Sequence, residues 1–198
     1  MAQPLVLGDW PQAPIRTERL LLRPPEARDR EAFVDLGSDP TVNHHLGGGR
    51  DRATLEAELP EVPADRPAQF VLEHDGRFAG WMGLGRRDPS RPGSTALEGP
   101  FLELSYVLPL AAWGHGYAAE AGAAILAWSD ERLGEPVVVC TQAANDRSLS
   151  LAARLGFTEL ARFEEFDAEQ WFGVRMPGRW GAFYEEVPPR PEPVTGSR

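Results

Sequence analysis

The sequence predicts an α/β (α+β) fold built on a mixed sheet, and three observations lead there. Short β-rich runs alternate with segments of helical period. Two of those runs, QFVLEH (69–74) and RFAGWMGLG (77–85), are separated only by Asp75-Gly76, the signature of a tight antiparallel hairpin. Glycines stand at the ends of the helical segments, Gly37, Gly134 and Gly156, and read as stops. A hairpin within an alternating strand–helix order argues for a mixed sheet rather than a purely parallel one.

The elements follow in order. Residues 1–15 are Pro-rich and aperiodic and read as a flexible arm ahead of a domain over 16–186. RLLLR (19–23) reads as a strand, and PEARDREAFVDLGSD sets Ala32, Phe33 and Leu36 at helical spacing before Gly37. A second short helix is expected over 54–60, after the HHLGGGRDR segment, and the 69–85 hairpin follows. RRDPSRPGSTALEGP (86–100) holds turn formers without a period, a surface loop. FLELSYVL is a strand, 117–133 a helix, PVVVCTQ a buried strand, 147–155 a helix and FTELARFEEF a strand, with a final strand near 173–184. The closing VPPRPEPVTGSR (187–198) is a proline-laden tail that can join neither a ladder nor a helix. There is no internal repeat.

Composition narrows the function. The 198 residues fit one domain, and the net charge is −10, with arginine as the sole strongly basic residue type because lysine is absent. That balance disfavours nucleic acid, which needs a basic patch, and suits a cationic substrate. No apolar stretch approaches the roughly 20 residues of a membrane span. The opening residues show no basic start before an apolar run, so a cytoplasmic protein is expected. Cys140, alone, excludes an internal disulfide and reads as a small core residue within VVVC. His44 and His45 are adjacent while His74 and His115 are isolated, so no metal site is expected.

The richest stretch is WGHGYAAEAGAAILAW (113–128). The helix from Tyr117 is alanine-rich, with Glu120 in its first turn and Arg132 in its last, where the macrodipole favours each. Gly114 and Gly116 therefore act ahead of it, letting the backbone turn sharply and exposing N–H groups at a positive helix end. A phosphate site and a plain tight turn both fit that spacing. A P-loop is excluded by the missing lysine, and a dinucleotide fingerprint by the missing third glycine and acidic residue in register.

Trp113-Gly114-His115-Gly116-Tyr117-Ala118 resembles the coenzyme A pyrophosphate loop, Q/R-x-x-G-x-G/A, of the GNAT superfamily of acetyltransferases, most closely the RimJ/RimL-like branch, with Trp113 in the Q/R place. TERLLLRPPEARDREAFVDLGSDPTV resembles that branch's opening strand and helix, and NDRSLSLAARLGF its N-x-x-S-x-x-x-x-x-x-x-G-F element, so the likeness spans about residues 17–165. It implies a mostly antiparallel six- to seven-stranded sheet flanked by helices, with splayed central strands. It also implies acetyl-CoA as cosubstrate without a metal, and direct attack of a primary amine on the thioester. A protein or peptide N-terminal α-amine is the implied acceptor. A small polyamine or aminoglycoside-like amine is the alternative, and a non-catalytic acyl-CoA-binding module is a further one. Partners are then acetyl-CoA and the acceptor, with a homodimer left open.

The resemblance also assigns residues. The amides of His115 to Ala119, behind Trp113 and Gly114, would take the pyrophosphate; the strand edge of Ser105, Val107 and Leu108 would pair with the pantetheine arm, a backbone N–H near Val107 serving as oxyanion donor. Glu103, acting through a water and facing the acceptor, competes as base with Glu165, or Glu164 one place earlier, and a water chain alone would also serve. Ser148 would protonate the leaving thiolate, with Tyr106 second. Asn145 would contact the coenzyme or cap a helix. His45 lies where the acceptor pocket is lined, or in an ordinary loop. Gly173 stands where the branch carries the aspartate of D-x-x-x-Y, and Pro177 is added, so the acceptor end departs from the pattern.

Overall fold

The computed structural model describes residues 5–8, 10, 13–64 and 66–178. One sheet of eight strands organises them: β1 (Ile15–Arg16), β2 (Leu21–Arg23), β3 (Gln69–His74), β4 (Arg77–Arg86), β5 (Leu102–Val107), β6 (Val137–Gln142), β7 (Thr158–Glu165) and β8 (Ala168–Arg175). The spatial order is β1-β2-β3-β4-β5-β6-β8-β7, every pairing antiparallel except β5 with β6. The mixed, mostly antiparallel sheet expected from the sequence is thus present, and the two-residue β1 raises the strand number to eight.

The Asp75-Gly76 hairpin turns with both φ values positive, 49° and 73°, as that dipeptide favours. The last hairpin does the same with poorer residues: Phe166 and Asp167 hold φ of 55° and 56°. Because that turn takes only two residues, the return strand begins at Ala168. The final strand expected near 173–184 therefore lies earlier, at 168–175, and residues 179–184, like the tail 187–198, lie outside the described residues.

Among the described residues four α-helices cover the sheet: α1 (Arg30–Ser38), α2 (Arg52–Glu58), α3 (Tyr117–Arg132) and α4 (Asp146–Arg154). Gly37 is not a stop. It lies inside α1, where a Cβ would stand 3.0 Å from Leu55 Cδ1, so its bareness lets α2 pack close. The chain leaves α1 at Asp39, whose ψ of 114° is what the following Pro40 demands. α2 starts at Arg52 rather than at 54, because Asp51 caps it by accepting from the Thr54 N–H at 2.8 Å. Gly134, at φ 59°, closes α3 by donating to the Ser129 carbonyl at 2.9 Å.

Side-chain alternation sorts the sheet into two faces. Leu22, Phe70, Leu72, Met82, Leu84, Leu102, Leu104, Val137 and Val139 join Ile125 and Leu126 of α3 and Ala152 of α4 in the main core. Leu5, Leu7 and Trp10 of the opening stretch also pack there, Trp10 lying edge-on to Phe70 at 5.4 Å. On the opposite face Phe33 of α1 meets Phe78 and Trp81, while Phe101, Val138 and Phe172 form a smaller cluster with Leu97 and Phe163. The 86–100 segment is more than a surface loop: Arg87 and Ser94 are buried in it, and Ser94–Ala96 form a 3-10 turn.

Among the described residues the sheet has one opening. β5 and β6 pair only at Leu102 with Val137 and Glu103 with Val138, after which Leu104–Val107 and Val139–Gln142 run on without pairing to each other. β4 holds the outer side of β5 as far as Val107, and β8 holds β6 as far as Gln142, so the splay is fixed from both flanks.

Candidate active site

A slit begins where β5 and β6 part, and the sequence-derived site residues lie on the elements around it. Leu102 N–H donates to the Pro136 carbonyl on the β6 side at 2.9 Å. Along an extended strand the main-chain groups alternate sides, so Leu104 and Tyr106 turn theirs to the open edge while Ser105 and Val107 turn theirs to β4. The exposed edge near Val107 is therefore that of Tyr106. Side chains alternate in the other sense: Glu103 and Ser105 face the α1/α2 side, Tyr106 the α3/α4 side.

On the α3/α4 side Tyr106 Oη and Ser148 Oγ share a hydrogen bond. Ser148 is buried in the first turn of α4, and Asn145 caps that helix by accepting from the Ser148 N–H at 3.2 Å. Burial pushes the Tyr106 phenol above its usual 10, the bond to Ser148 opposing only in part, so the ring stays a neutral donor. The two residues considered as alternative acids form one hydroxyl pair.

The β5–α3 loop lies at the end of the same edge. Gly114 and Gly116 have φ of 77° and 81°, and a Cβ at Gly114 would meet nothing within 4 Å, which leaves open space beside the main chain. Among the described residues, no hydrogen bond is formed by the N–H groups of Gly114, His115, Gly116, Tyr117 or Ala118, whereas Ala119 and Glu120 both donate to the Gly116 carbonyl at 3.1 Å. Five N–H groups at the positive end of a sixteen-residue helix suit an anion such as a diphosphate. Ala119 is already engaged. Trp113 contributes by fixing the loop: its Nε1 donates to the Leu108 carbonyl at 2.8 Å, and the Arg147 guanidinium covers its ring at 4.4 Å.

A clamp stands behind this loop. Glu120 accepts from Thr17 Oγ1 at 2.5 Å, from the Arg19 N–H at 2.8 Å and from Arg19 Nε at 2.8 Å, and Arg19 Nη1 donates to the His115 carbonyl at 2.9 Å. Burial would raise the Glu120 carboxyl, but these bonds outweigh it and hold the group below its ordinary 4.5. The sequence marked Glu120 as a macrodipole residue; its partners on the β1–β2 turn leave no local pattern to read.

On the α1/α2 side the two competing carboxylates share an arginine. Arg91 Nη2 lies 3.0 Å from Glu165 Oε2, and its Nη1 lies 3.7 Å from Glu103 Oε2. Arg87, whose side chain is 0% exposed, donates to Glu103 Oε1 at 2.7 Å and to the Pro92 carbonyl at 2.7 Å. Glu103 Oε2 thus makes no hydrogen bond among the described residues, whereas both oxygens of Glu165 are engaged. Glu164, the neighbouring candidate, pairs in register with Glu169 in the hairpin. Cys140 is half-buried rather than sealed in the core, its Sγ 4.0 Å from Gln170 Oε1, and burial pushes its thiol up.

His45 is tied across the opening: its Nδ1 lies 2.9 Å from Gln142 Oε1 at the end of β6. A 3-10 turn over His44–Leu46 presents it. A cavity of about 410 Å³ lies on this face over Gly83 and Gly85, bordered by Trp81, Glu103 and Ser105. Among the described residues no cluster of three His, Cys, Asp or Glu side chains could hold a metal, and no helix is long and apolar enough to cross a membrane.

A family model described as acetyltransferase (GNAT) domain matches residues 19–158. Solved structures of the same fold include an aminoglycoside acetyltransferase bound to coenzyme A, 15% identical, with a TM-score of 0.65 over 81% of this chain and 96% of that one. A spermidine N-acetyltransferase from Vibrio cholerae, bound to coenzyme A and spermine, is 17% identical, with a TM-score of 0.65 over 82% and 98%. RimL, a ribosomal-protein α-N-acetyltransferase in complex with coenzyme A, is 13% identical, with a TM-score of 0.61 over 82% and 97%.

Proposed function

The chain belongs to the GNAT family of acetyl-CoA-dependent N-acetyltransferases, and from that premise we propose that it acetylates the N-terminal α-amine of a protein or peptide, as a member of the RimJ/RimL-like branch. One observation carries the mechanism: an unpaired strand edge and a bare main-chain loop follow one another along the chain, where β5 parts from β6.

The N–H groups of Gly114 to Ala118 would hold the diphosphate of acetyl-CoA, and the free edge of β5 would take the amide-bearing arm as an added strand. The acetyl group then lies at the slit. The amine arrives from the α1/α2 side, and its lone pair attacks the carbonyl carbon. Negative charge developing on the carbonyl oxygen is met by the Tyr106 N–H; donors of that kind contribute about 3–4 kcal/mol in enzymes of other classes. Collapse of the tetrahedral adduct breaks the C–S bond, and the thiolate departs beside Tyr106 Oη and Ser148 Oγ. An ordinary thiol has a pKa of about 8.5. A phenol held above 10 therefore keeps its proton and steadies the thiolate by hydrogen bonding, and the thiolate takes its proton from water as the coenzyme leaves.

The proton lost by the attacking amine needs an acceptor on the α1/α2 face. Glu103 Oε2 has lone pairs free of hydrogen bonds, so Glu103 takes it through water, while Glu165 is held by Arg91 and shapes the rim. The same pairing argues against a polyamine, because two guanidinium groups already balance the two carboxylates. The test is thiol release from acetyl-CoA against a panel of peptides with free N-termini, spermidine and an aminoglycoside. Turnover with peptides is expected. Turnover confined to polyamines would overturn the acceptor, and binding of coenzyme A with no turnover on any amine would make the chain a non-catalytic module.

A further inference from the structure

The β5–α3 loop poses a problem of order. Two of its residues are glycines in the left-handed region, and glycine is the residue that loses most freedom when fixed. Among the described residues two side-chain hydrogen bonds restrain it: Trp113 Nε1 to the Leu108 carbonyl at the entry, and Arg19 Nη1 to the His115 carbonyl between the glycines. The second sits where orientation matters most. A carbonyl turned toward the anion hollow would repel a diphosphate, whereas His115 points its oxygen to Arg19 instead.

Arg19 is well held for this task. Its Nε donates to Glu120 Oε2 at 2.8 Å, its Nη2 lies 2.7 Å from the same oxygen, and its backbone N–H donates to Glu120 Oε1 at 2.8 Å. The guanidinium lies over the Tyr117 ring at 5.0 Å, and that ring stacks in turn on His115 at 5.4 Å and lies 4.8 Å from His74. A Cβ on Gly116 would come within 3.4 Å of Arg19 Nη2. One planar fork, carried on the β1–β2 turn, thus touches the loop and the first turn of α3 together.

Building on the proposed use of this loop, we propose that Arg19 is a positioning residue for recognition of the diphosphate: gripped by Glu120, it acts through the His115 carbonyl to keep the N–H groups of Gly114 to Ala118 converging. Its fork geometry is the working feature. A lysine ammonium has no planar arrangement of donors with which to hold the His115 oxygen and the Glu120 carboxylate in fixed relation.

The test compares two ligands by titration calorimetry, coenzyme A and S-acetylpantetheine, which lacks the nucleotide and its diphosphate. Arg19→Gln should weaken coenzyme A by about tenfold or more, the scale of one charge-assisted contact, and leave acetylpantetheine unchanged. Arg19→Lys should resemble Arg19→Gln. Wild-type affinity for coenzyme A in either variant, or an equal loss for both ligands, would overturn the proposal. If the Arg19 variants do not fold, Glu120→Gln, which loosens the grip and keeps the side-chain volume, carries the same two outcomes. Refusal of coenzyme A by the unsubstituted protein would instead remove the proposed function, and this inference with it.

Discussion

The two sides of the slit are built from different materials. Toward α3 and α4 the proposed recognition surface is main chain: the edge of β5 and the N–H groups between Gly114 and Ala118, with side chains such as Trp113 and Arg19 bracing it from behind. Toward α1 and α2 it is side chain: Glu103, Glu165, Arg87 and Arg91 in one ion-pair cluster, with His45 reaching to Gln142. A main-chain surface tolerates sequence change so long as its bends survive. A side-chain surface is remade by single substitutions, which fits relatives of one fold whose acceptors are aminoglycosides, spermidine and a ribosomal protein.

That contrast can be broken most directly at the hydroxyl pair. Tyr106→Phe or Ser148→Ala should each lower kcat by roughly a hundredfold, and the double variant should fall little further, because the two groups act as one. Single-turnover thiol release measures this; full additivity would show that they act separately. Next in size is Gly116→Ala. At φ 81° an alanine costs about 1–2 kcal/mol, so KM for acetyl-CoA should rise about tenfold while KM for the acceptor holds. A shift in the acceptor constant would erase the division between the sides.

Glu103→Gln should reduce kcat several-fold and Glu165→Gln should change mainly the acceptor KM; the reverse pattern in steady-state kinetics would exchange their roles. A smaller effect concerns acid. Glu120 is held below its ordinary value in the folded protein, so its contribution to stability is complete above pH 4.5 and is lost as pH falls through the folded value. The melting temperature of wild type minus that of Glu120→Gln should therefore be constant near neutrality and shrink in acid. The smallest change is a gain: Phe166→Asn, which relaxes a left-handed backbone at an exposed aromatic, should stabilise the fold by about 1 kcal/mol, read by denaturant melts.

The same contrast explains what could be read in advance. The slit's main-chain side was legible because bends advertise themselves: Gly114 and Gly116 mark left-handed backbone, Asp75-Gly76 a hairpin and Asn145 a helix cap. Where turn chemistry was poor the reading slipped, and Phe166-Asp167 concealed a hairpin, displacing the last strand. Gly37 misled in the opposite way, since its bareness serves a neighbouring helix rather than a turn. The ion-pair cluster was not legible as a cluster. Glu103 and Glu165 were each visible as carboxylates, but Arg91, which joins them, sits in an aperiodic segment 74 residues before Glu165. No local pattern links Thr17 and Arg19 to Glu120, more than a hundred positions away.

The parting of β5 from β6 after two paired positions also bears on traffic. If the donor lies along the β5 edge and the acceptor arrives from the α1/α2 side, as proposed, neither must leave before the other arrives, and double-reciprocal plots at several fixed acceptor concentrations should intersect instead of running parallel. A bulky folded acceptor, if that is the substrate, would then dock and depart without trapping spent coenzyme behind it. The order of release would follow from affinity on each side rather than from obstruction.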